Sequence, residues 1–341
     1  HILTFVLHTG TGFLIYKISR VLFKDTKLAL FSSIFYVIHP SHFVALFWVA
    51  GNATIIGFFL FLASFYFLIK SRKLFSLVFY VLALLASEAM LSGLLIFGAW
   101  IFLESKNSIH KFFEKKFFLI PFVLISIIYI IMRFLYLTPN ATYNAYHIEF
   151  SVRILGTIKY YLFRIAGFAE IAENRLVLIL LLIWNILMAV EILKRTMRGL
   201  NLRQILLPFA VIIFGMFPFI LLPGHLSPHY MEMSIWGYSI LLTFSLKHKK
   251  TTFAVLVILI FGLIAHFNVS STYDNNWVVK RSNLAKELIL NVQRENPIAG
   301  SIIVFEDSKL ASSLEKYVTL GGGSAIDLWF GDKNYKKCIK Q

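Results

Sequence analysis

The side chains that can do chemistry in this chain are few enough to name. His39 and His42 stand three residues apart around Pro40 and Ser41. Pro40 prevents a regular helix through both. The pair fits a polar helix break at a membrane interface or a polar rim facing a lipid-linked substrate. A metal would need a third ligand, and no carboxylate lies nearby in sequence, so no metal site is assigned. Glu88 interrupts an otherwise apolar run over 74–103. It fits either a carboxylate at an exposed turn or a buried acid that organises an active site. Arg133 lies inside the apolar run 117–137. It either snorkels to the headgroups or holds a phosphate, which a guanidinium matches with two parallel hydrogen bonds. Lys159 and Arg164 sit in a stretch rich in Tyr and Phe, 158–168. That stretch reads as an interfacial helix, suited to membrane docking or to a polyprenyl-phosphate headgroup.

These residues are conspicuous because their surroundings are so apolar. Of 341 residues, 58% are hydrophobic and 15% charged, and 35 are phenylalanine. Such a composition excludes a water-soluble domain, a disordered chain and a disulfide scaffold. The single cysteine, Cys338, allows neither an internal disulfide nor a cysteine metal site. The formal charge of +16 invites a nucleic-acid partner, but the basic residues lie mostly in short loops between apolar runs. That is the pattern of cytoplasmic loops, so no nucleic acid is expected. No P-loop, nucleophile elbow or zinc-protease motif is present. The three Asn-x-Ser/Thr matches at Asn52, Asn140 and Asn268 are short enough to arise by chance.

The apolar runs set the architecture. Residues 2–23 form the first. Residues 28–69 contain no Asp, Glu, Lys or Arg and suffice for two passes at about 20 residues each, with the break between His39 and Asn52. Residues 74–103 have basic residues at both ends, so they read as a hairpin of short helices with Glu88 at the tip. Further runs cover 117–137, 176–193, 204–222, 230–246 and 251–268. The fold class is therefore an all-α polytopic membrane protein with about ten crossings or re-entrant helices. The five loops then placed inside carry eighteen Lys and Arg, against four in the loops placed outside, which orients the chain. Residues 1–268 form the transmembrane domain. Residues 269–341 are mixed polar and charged and read as a small exoplasmic α/β tail, with an amphipathic helix over 277–294, a strand over 301–305 and a turn at Gly321 to Gly323. The absence of a basic leader segment and of a small-residue cleavage site argues against a signal peptide. The chain reads as starting inside a larger protein.

The order of these motifs resembles the multi-spanning C-fold glycosyltransferases that use polyprenyl-phosphate sugars. The nearest branch holds the protein O-mannosyltransferases and their tetratricopeptide-linked relatives. There, a helix opens with His-Leu-Val-Asn and a further His, matched by His1-Ile2-Leu3-Thr4 and His8. A His-Pro-x-His segment leads to Trp-Val-Ala-Gly, matched by His39 to His42 and Trp48 to Gly51. Leu-Leu-Ser-Lys-Glu is matched by Leu84 to Glu88, a span ending in Arg by Tyr129 to Arg133, and a late Arg-Tyr element by His229 and Tyr230. The likeness covers about residues 1–246. Val44, Asn52, Thr54 and His229 stand where the family has an acid, an Arg, an Asp and an Arg.

The resemblance implies an integral membrane enzyme of the cell envelope, in a bacterial or archaeal cytoplasmic membrane. It would move a hexosyl or mannosyl group from a polyprenyl-phosphate donor in the membrane lipid to a hydroxyl of an acceptor protein or glycan. It implies a catalytic acid in a loop upstream of His1. Arg133, Lys159 and Arg164 would lie near the phosphate, His39 and His42 at the reaction face, Glu88 behind them, and Tyr230 in the late loop. No cofactor is assigned; the one candidate is a divalent metal ion that would screen the phosphate, and no ligands for it are identified. The two other readings are a non-catalytic scaffold of the same fold and a transporter or flippase for a lipid-linked sugar. The charge bias makes a direct prediction. A single cysteine introduced between 138 and 175, in a Cys338→Ser background, should react with an impermeant thiol reagent from the side opposite the basic loops. Labelling from the basic-loop side would overturn the orientation.

Overall fold

The computed structural model describes residues 2–105, 116–136, 148–170, 174–197, 202–247, 249–306, 319–320, 324–331 and 336–340. His1, His147, Glu173, the Asn140 sequon and the turn at Gly321 to Gly323 lie outside the described residues. The protein is almost entirely helical. Contacts divide it into two units, His1–Ser271 and Thr272–Gln341.

In the first unit the apolar runs become α1 (Ile2–Phe23), α2 (Thr26–Val37), α3 (His42–Phe47), α4 (Asn52–Ile69), α5 (Lys73–Ala86), α6 (Gly93–Glu104), α7 (Ile120–Tyr136), α8 (Arg153–Ile165), α9 (Arg175–Met197), α10 (Leu202–Ile220), α11 (Glu232–Leu246) and α12 (Thr251–Thr272). Four of these, α1, α4, α9 and α12, are long and apolar enough to cross a bilayer. Many large apolar side chains on the outer helices face outward, among them Leu124, Ile128, Leu182, Ile186, Leu187, Leu259 and Leu263. A water-soluble monomer does not expose apolar surface on this scale, whereas lipid covers it without cost. The chain is a membrane protein.

The break expected between His39 and Asn52 is there. Helix α2 stops at Val37, Pro40 makes the turn, α3 runs for six residues, and a 3-10 turn at Val49–Gly51 leads into α4. The 74–103 run also folds back on itself. Helix α5 ends at Ser87 in an extended conformation, a 3-10 turn spans Glu88–Ser92, and α6 follows. The Tyr80 and Phe97 rings then meet at 5.6 Å, which a continuous helix forbids across seventeen residues.

At the centre lies α11. Every residue of it except Tyr238 is buried, as expected of a helix that is apolar all round. It touches α2, α4, α8, α9 and α10. Trp236 packs on Phe58 and Phe65, which continue into a stack with Phe61 and Phe97. Helices α4 and α5 are sewn together by Ser64 and Ser76, each hydroxyl donating to the other's backbone carbonyl at 2.7 and 2.9 Å. In lipid, close backbone approach and interhelical hydrogen bonds replace the hydrophobic effect as the glue.

In the second unit, α13 (Trp277–Glu295) is capped by Asn276 and ends at Asn296 in the left-handed region. Its Leu288 and Val292 form a small core with Leu320 and Ile326, the latter from α14 (Ser324–Phe330). Strands β1 (Ile302–Glu306) and β2 (Lys336–Lys340) pair in parallel, with Ile302 opposite Lys336.

Helix α10 approaches the backbone of α11 closely. A Cβ on Gly237 would stand 2.6 Å from the Pro208 carbonyl oxygen and 3.1 Å from the Ile212 nitrogen, both backbone atoms that cannot yield locally. Gly237→Ala should therefore lower the thermal midpoint in detergent, at a cost of about 1–3 kcal/mol. Gly98→Ala, where the added methyl meets nothing within 4 Å, should be neutral. Equal midpoints for the two variants would show that the crossing is looser than described.

Candidate functional site

The polar side chains of the first unit converge where α1, the α2–α3 connection, the end of α8 and the start of α11 meet. Glu232 is the first residue of α11, where the helix dipole favours a carboxylate. It is 2% exposed. One carboxylate oxygen, Oε1, lies 2.9 Å from His42 Nδ1. The other accepts a hydrogen bond from the Tyr36 hydroxyl. The opposite nitrogen of His42, Nε2, donates to the Tyr36 carbonyl at 2.7 Å. His8 of α1 stacks edge-on against His42, ring centroids 4.5 Å apart. Its Nε2 donates to the Val37 carbonyl at 3.1 Å.

The two histidines that share the sequence motif do different things. His39 is a satisfied structural histidine. Its Nε2 donates to the Ile165 carbonyl at 3.0 Å, and its Nδ1 accepts from the Ser41 backbone N–H at 3.3 Å. Burial, reinforced by His42, lowers its pKa to about 3, so the ring is neutral. His42 belongs instead to the Glu232 cluster.

His39 is one of several donors that finish α8. This helix ends in a Schellman motif. Phe168 N–H donates to the Phe163 carbonyl and Gly167 N–H to the Arg164 carbonyl, each at 3.0 Å, and Gly167 has φ +92°, which a glycine adopts without strain. The remaining carbonyls are received from three other elements. Ser41 donates to Arg164 O at 2.6 Å, Asn185 to Ala166 O at 3.0 Å, and Asn268 to Gly167 O at 2.7 Å. The sequon asparagine Asn268 is thus structural, since it is buried in this cap.

Helix α8 also sets Lys159 and Arg164 apart. Lys159 is on the exposed face with Leu155, Leu162 and Phe163. Five residues of helix separate it from Arg164, which takes a buried side of the same helix. Arg164 is 7% exposed, and its guanidinium carbon lies 5.0 Å from the centre of the Tyr160 ring. Its Nε and Nη1 have no hydrogen-bond partner among the described residues. Next to it, the Tyr160 hydroxyl donates to Glu170 Oε1 at 2.5 Å. Glu170 Oε2 is buried and also unpartnered among the described residues.

Glu88 and Arg133 come together elsewhere, in an ion pair of 2.7 Å whose side chains are 50% and 40% exposed. The hydrogen bond of 2.8 Å between Tyr80 and Ser126 sets α5 beside α7 and brings the two ends together. Tyr230 stacks on Phe219 at 4.1 Å and against His229 at 4.0 Å. His229 lies 2.5 Å from the Ser227 hydroxyl and 5.1 Å from the Trp48 ring. Burial, with His225 adding to it, lowers the His229 pKa to about 4.

Sequence reasoning passed over His8, Tyr36 and Glu232 as partners of His42, and Glu170 as a partner of Tyr160. One signal for His8 was available. Thr4, His8, Thr11 and Ser19 fall on one face of α1, and all four are buried. A polar stripe on an apolar span faces protein rather than lipid. No protein-family model, curated protein or solved structure matches this chain.

The depressed histidines give a pH prediction. His39 and His229 bind a proton less readily folded than unfolded, so the unfolded chain holds more protons between about pH 6.5 and pH 4. Stability rises with pH across that window and is fully present above it, and each histidine has taken away about 2 kcal/mol by the time the pH has fallen to 5. The thermal midpoint in detergent should fall on acidification from pH 7 to pH 4.5. His39→Gln, which keeps a donor for Ile165 O, should flatten part of the fall. A midpoint independent of pH would mean that these rings are open to solvent.

Proposed function

We propose that this protein is an integral membrane glycosyltransferase. It moves a sugar from a polyprenyl-phosphate donor to a hydroxyl of an acceptor protein or glycan on the exoplasmic face. The chain crosses the membrane about ten times, counting short and re-entrant helices, and its second unit lies on the exoplasmic side. In the reaction the acceptor oxygen attacks the anomeric carbon, and its proton passes to a carboxylate base. The bond from that carbon to the phosphate oxygen breaks, and polyprenyl phosphate leaves with the electron pair.

The observation that carries this reading is Arg164. A guanidinium almost wholly out of water, with Nε and Nη1 open among the described residues, is a costly arrangement for a structural residue. Each of these two nitrogens can donate a charge-assisted hydrogen bond to an anionic phosphate oxygen. The phosphate role thus moves from Arg133, already paired with Glu88, to Arg164. The open oxygen of Glu170 beside it suits a sugar hydroxyl donor. The exposed Lys159 and Phe163 face of α8 rests on the lipid headgroups, beside which a donor tail would enter.

The test uses membranes containing the protein and radiolabelled polyprenyl-phosphate sugars, following label lost from the lipid. Wild type should consume donor. Arg164→Ala should lose about 10- to 100-fold in donor use, the range for removing a hydrogen-bonded charge partner. Arg164→Lys should recover only part of it, because an ammonium is a compact point charge without the planar donors of a guanidinium. Arg133→Ala should leave donor use nearly intact. A folded wild type that consumes no donor would leave the non-catalytic scaffold as the reading.

A further inference from the structure

Three buried groups lie outside the phosphate reading: His8, His42 and Glu232. One ligand atom from each lies within 4.8 Å of the other two. They are 4%, 1% and 2% exposed. They come from α1, the start of α3 and the start of α11.

Their hydrogen bonds fix which ring nitrogens carry the proton. A backbone carbonyl only accepts, so His8 Nε2, bonded to Val37 O, must carry its proton. The same holds for His42 Nε2, bonded to Tyr36 O. Each neutral ring then keeps a bare lone pair on Nδ1. His42 Nδ1 faces Glu232 Oε1 at 2.9 Å, and two lone pairs cannot sit at that distance without a positive centre between them. A single proton would settle that pair. It would leave His8 Nδ1, which is buried and has no partner among the described residues. A metal ion satisfies all three at once.

The surroundings also match. In metal sites the ligating histidines donate their second ring N–H to a carbonyl or carboxylate, and the ligating carboxylate is itself hydrogen-bonded. Here both histidines donate to backbone carbonyls, and the free oxygen of Glu232 accepts from Tyr36. Two imidazoles and one carboxylate suit a divalent transition metal, zinc above the hard cations, which prefer all-oxygen shells. A tetrahedral ion would hold these donor atoms about 3.4 Å apart, a few tenths of an ångström wider than the present pair.

We propose that His8, His42 and Glu232 form a buried zinc-type site that ties α1, the α2–α3 connection and α11 together. It does not depend on the reading of Arg164.

The test is metal analysis of the full protein, purified through a tag that carries no histidines and in a buffer without chelator. Wild type should retain about one zinc per chain through dialysis. Cobalt substitution should give the visible absorption of a tetrahedral ion. Glu232→Gln and His8→Gln should lose the metal. Tyr36→Phe, which keeps the ring in place and removes only the bond to Glu232, should weaken zinc affinity about 10-fold while the protein stays monodisperse. This variant keeps the proposal falsifiable if the ligand variants fail to fold. Metal-free, stable wild type with no cobalt absorption would overturn the site and leave a proton shared between His42 and Glu232. Zinc present in equal amount in wild type and variants, and lost on dialysis, would mark an adventitious ion only and would overturn it equally.

Discussion

A carboxylate buried in an apolar helix bundle must be compensated, and the first unit is organised around Glu232. The start of α11 offers it a favourable dipole, but that alone does not offset burial at 2% exposure. Tyr36 donates to one of its oxygens and His42 Nδ1 stands against the other, across the positive centre they share, and both residues come from the segment around the Pro40 break. The break is therefore more than a helix end. It bends the chain so that a residue of α2 and a residue of α3 reach the same carboxylate. Removing one partner of such a group costs about 3–5 kcal/mol, because the charge is then left alone. The central helix cannot hold its depth in the bundle without this segment.

The same segment also closes α8. Its last turn presents carbonyls that lipid cannot satisfy, and Ser41 and His39 receive two of them. One short stretch thus settles two separate problems of buried polarity, an anion on one side and orphan carbonyls on the other. As a consequence Arg164 is held at a fixed distance from the Glu232 cluster, since its own carbonyl is bound to Ser41. Asn268 and Asn185 fix the next two carbonyls, which couples the position of Arg164 to α9 and α12 as well.

The helices were legible in the sequence because hydropathy reports each one locally. The ends of α1 coincide with the apolar run 2–23, and the break at Pro40 and the reversal at Glu88 follow from a proline and from matching charges at both ends. The site was legible only in part. His39 and His42 were visible as a motif, but the motif suggested a pair, whereas folding sends them to different partners. The carboxylate sought near them in sequence is Glu232, 190 positions away. A partner that arrives from another helix leaves no local trace. The different sides taken by Lys159 and Arg164 were not legible for another reason. Composition marks a stretch as basic and aromatic, while only the helical period decides which side each residue takes.

The two arginines of the apolar region show how burial distinguishes roles that sequence leaves equal. Arg133 and Glu88 meet at the end of a hairpin with roughly half of each side chain in contact with the surroundings. An exposed pair of this kind contributes about 0–1 kcal/mol, and either partner can leave it cheaply. Arg164 has no such exit. Its carbonyl is tied down, its ring neighbour Tyr160 is committed to Glu170, and its open nitrogens point away from bulk water. A group held that rigidly, with donors open among the described residues, is preorganised, and preorganised donors bind an incoming anion without first giving up their own partners. Of the cations that the sequence offered for the phosphate, the most deeply buried is therefore the best placed to recognise one.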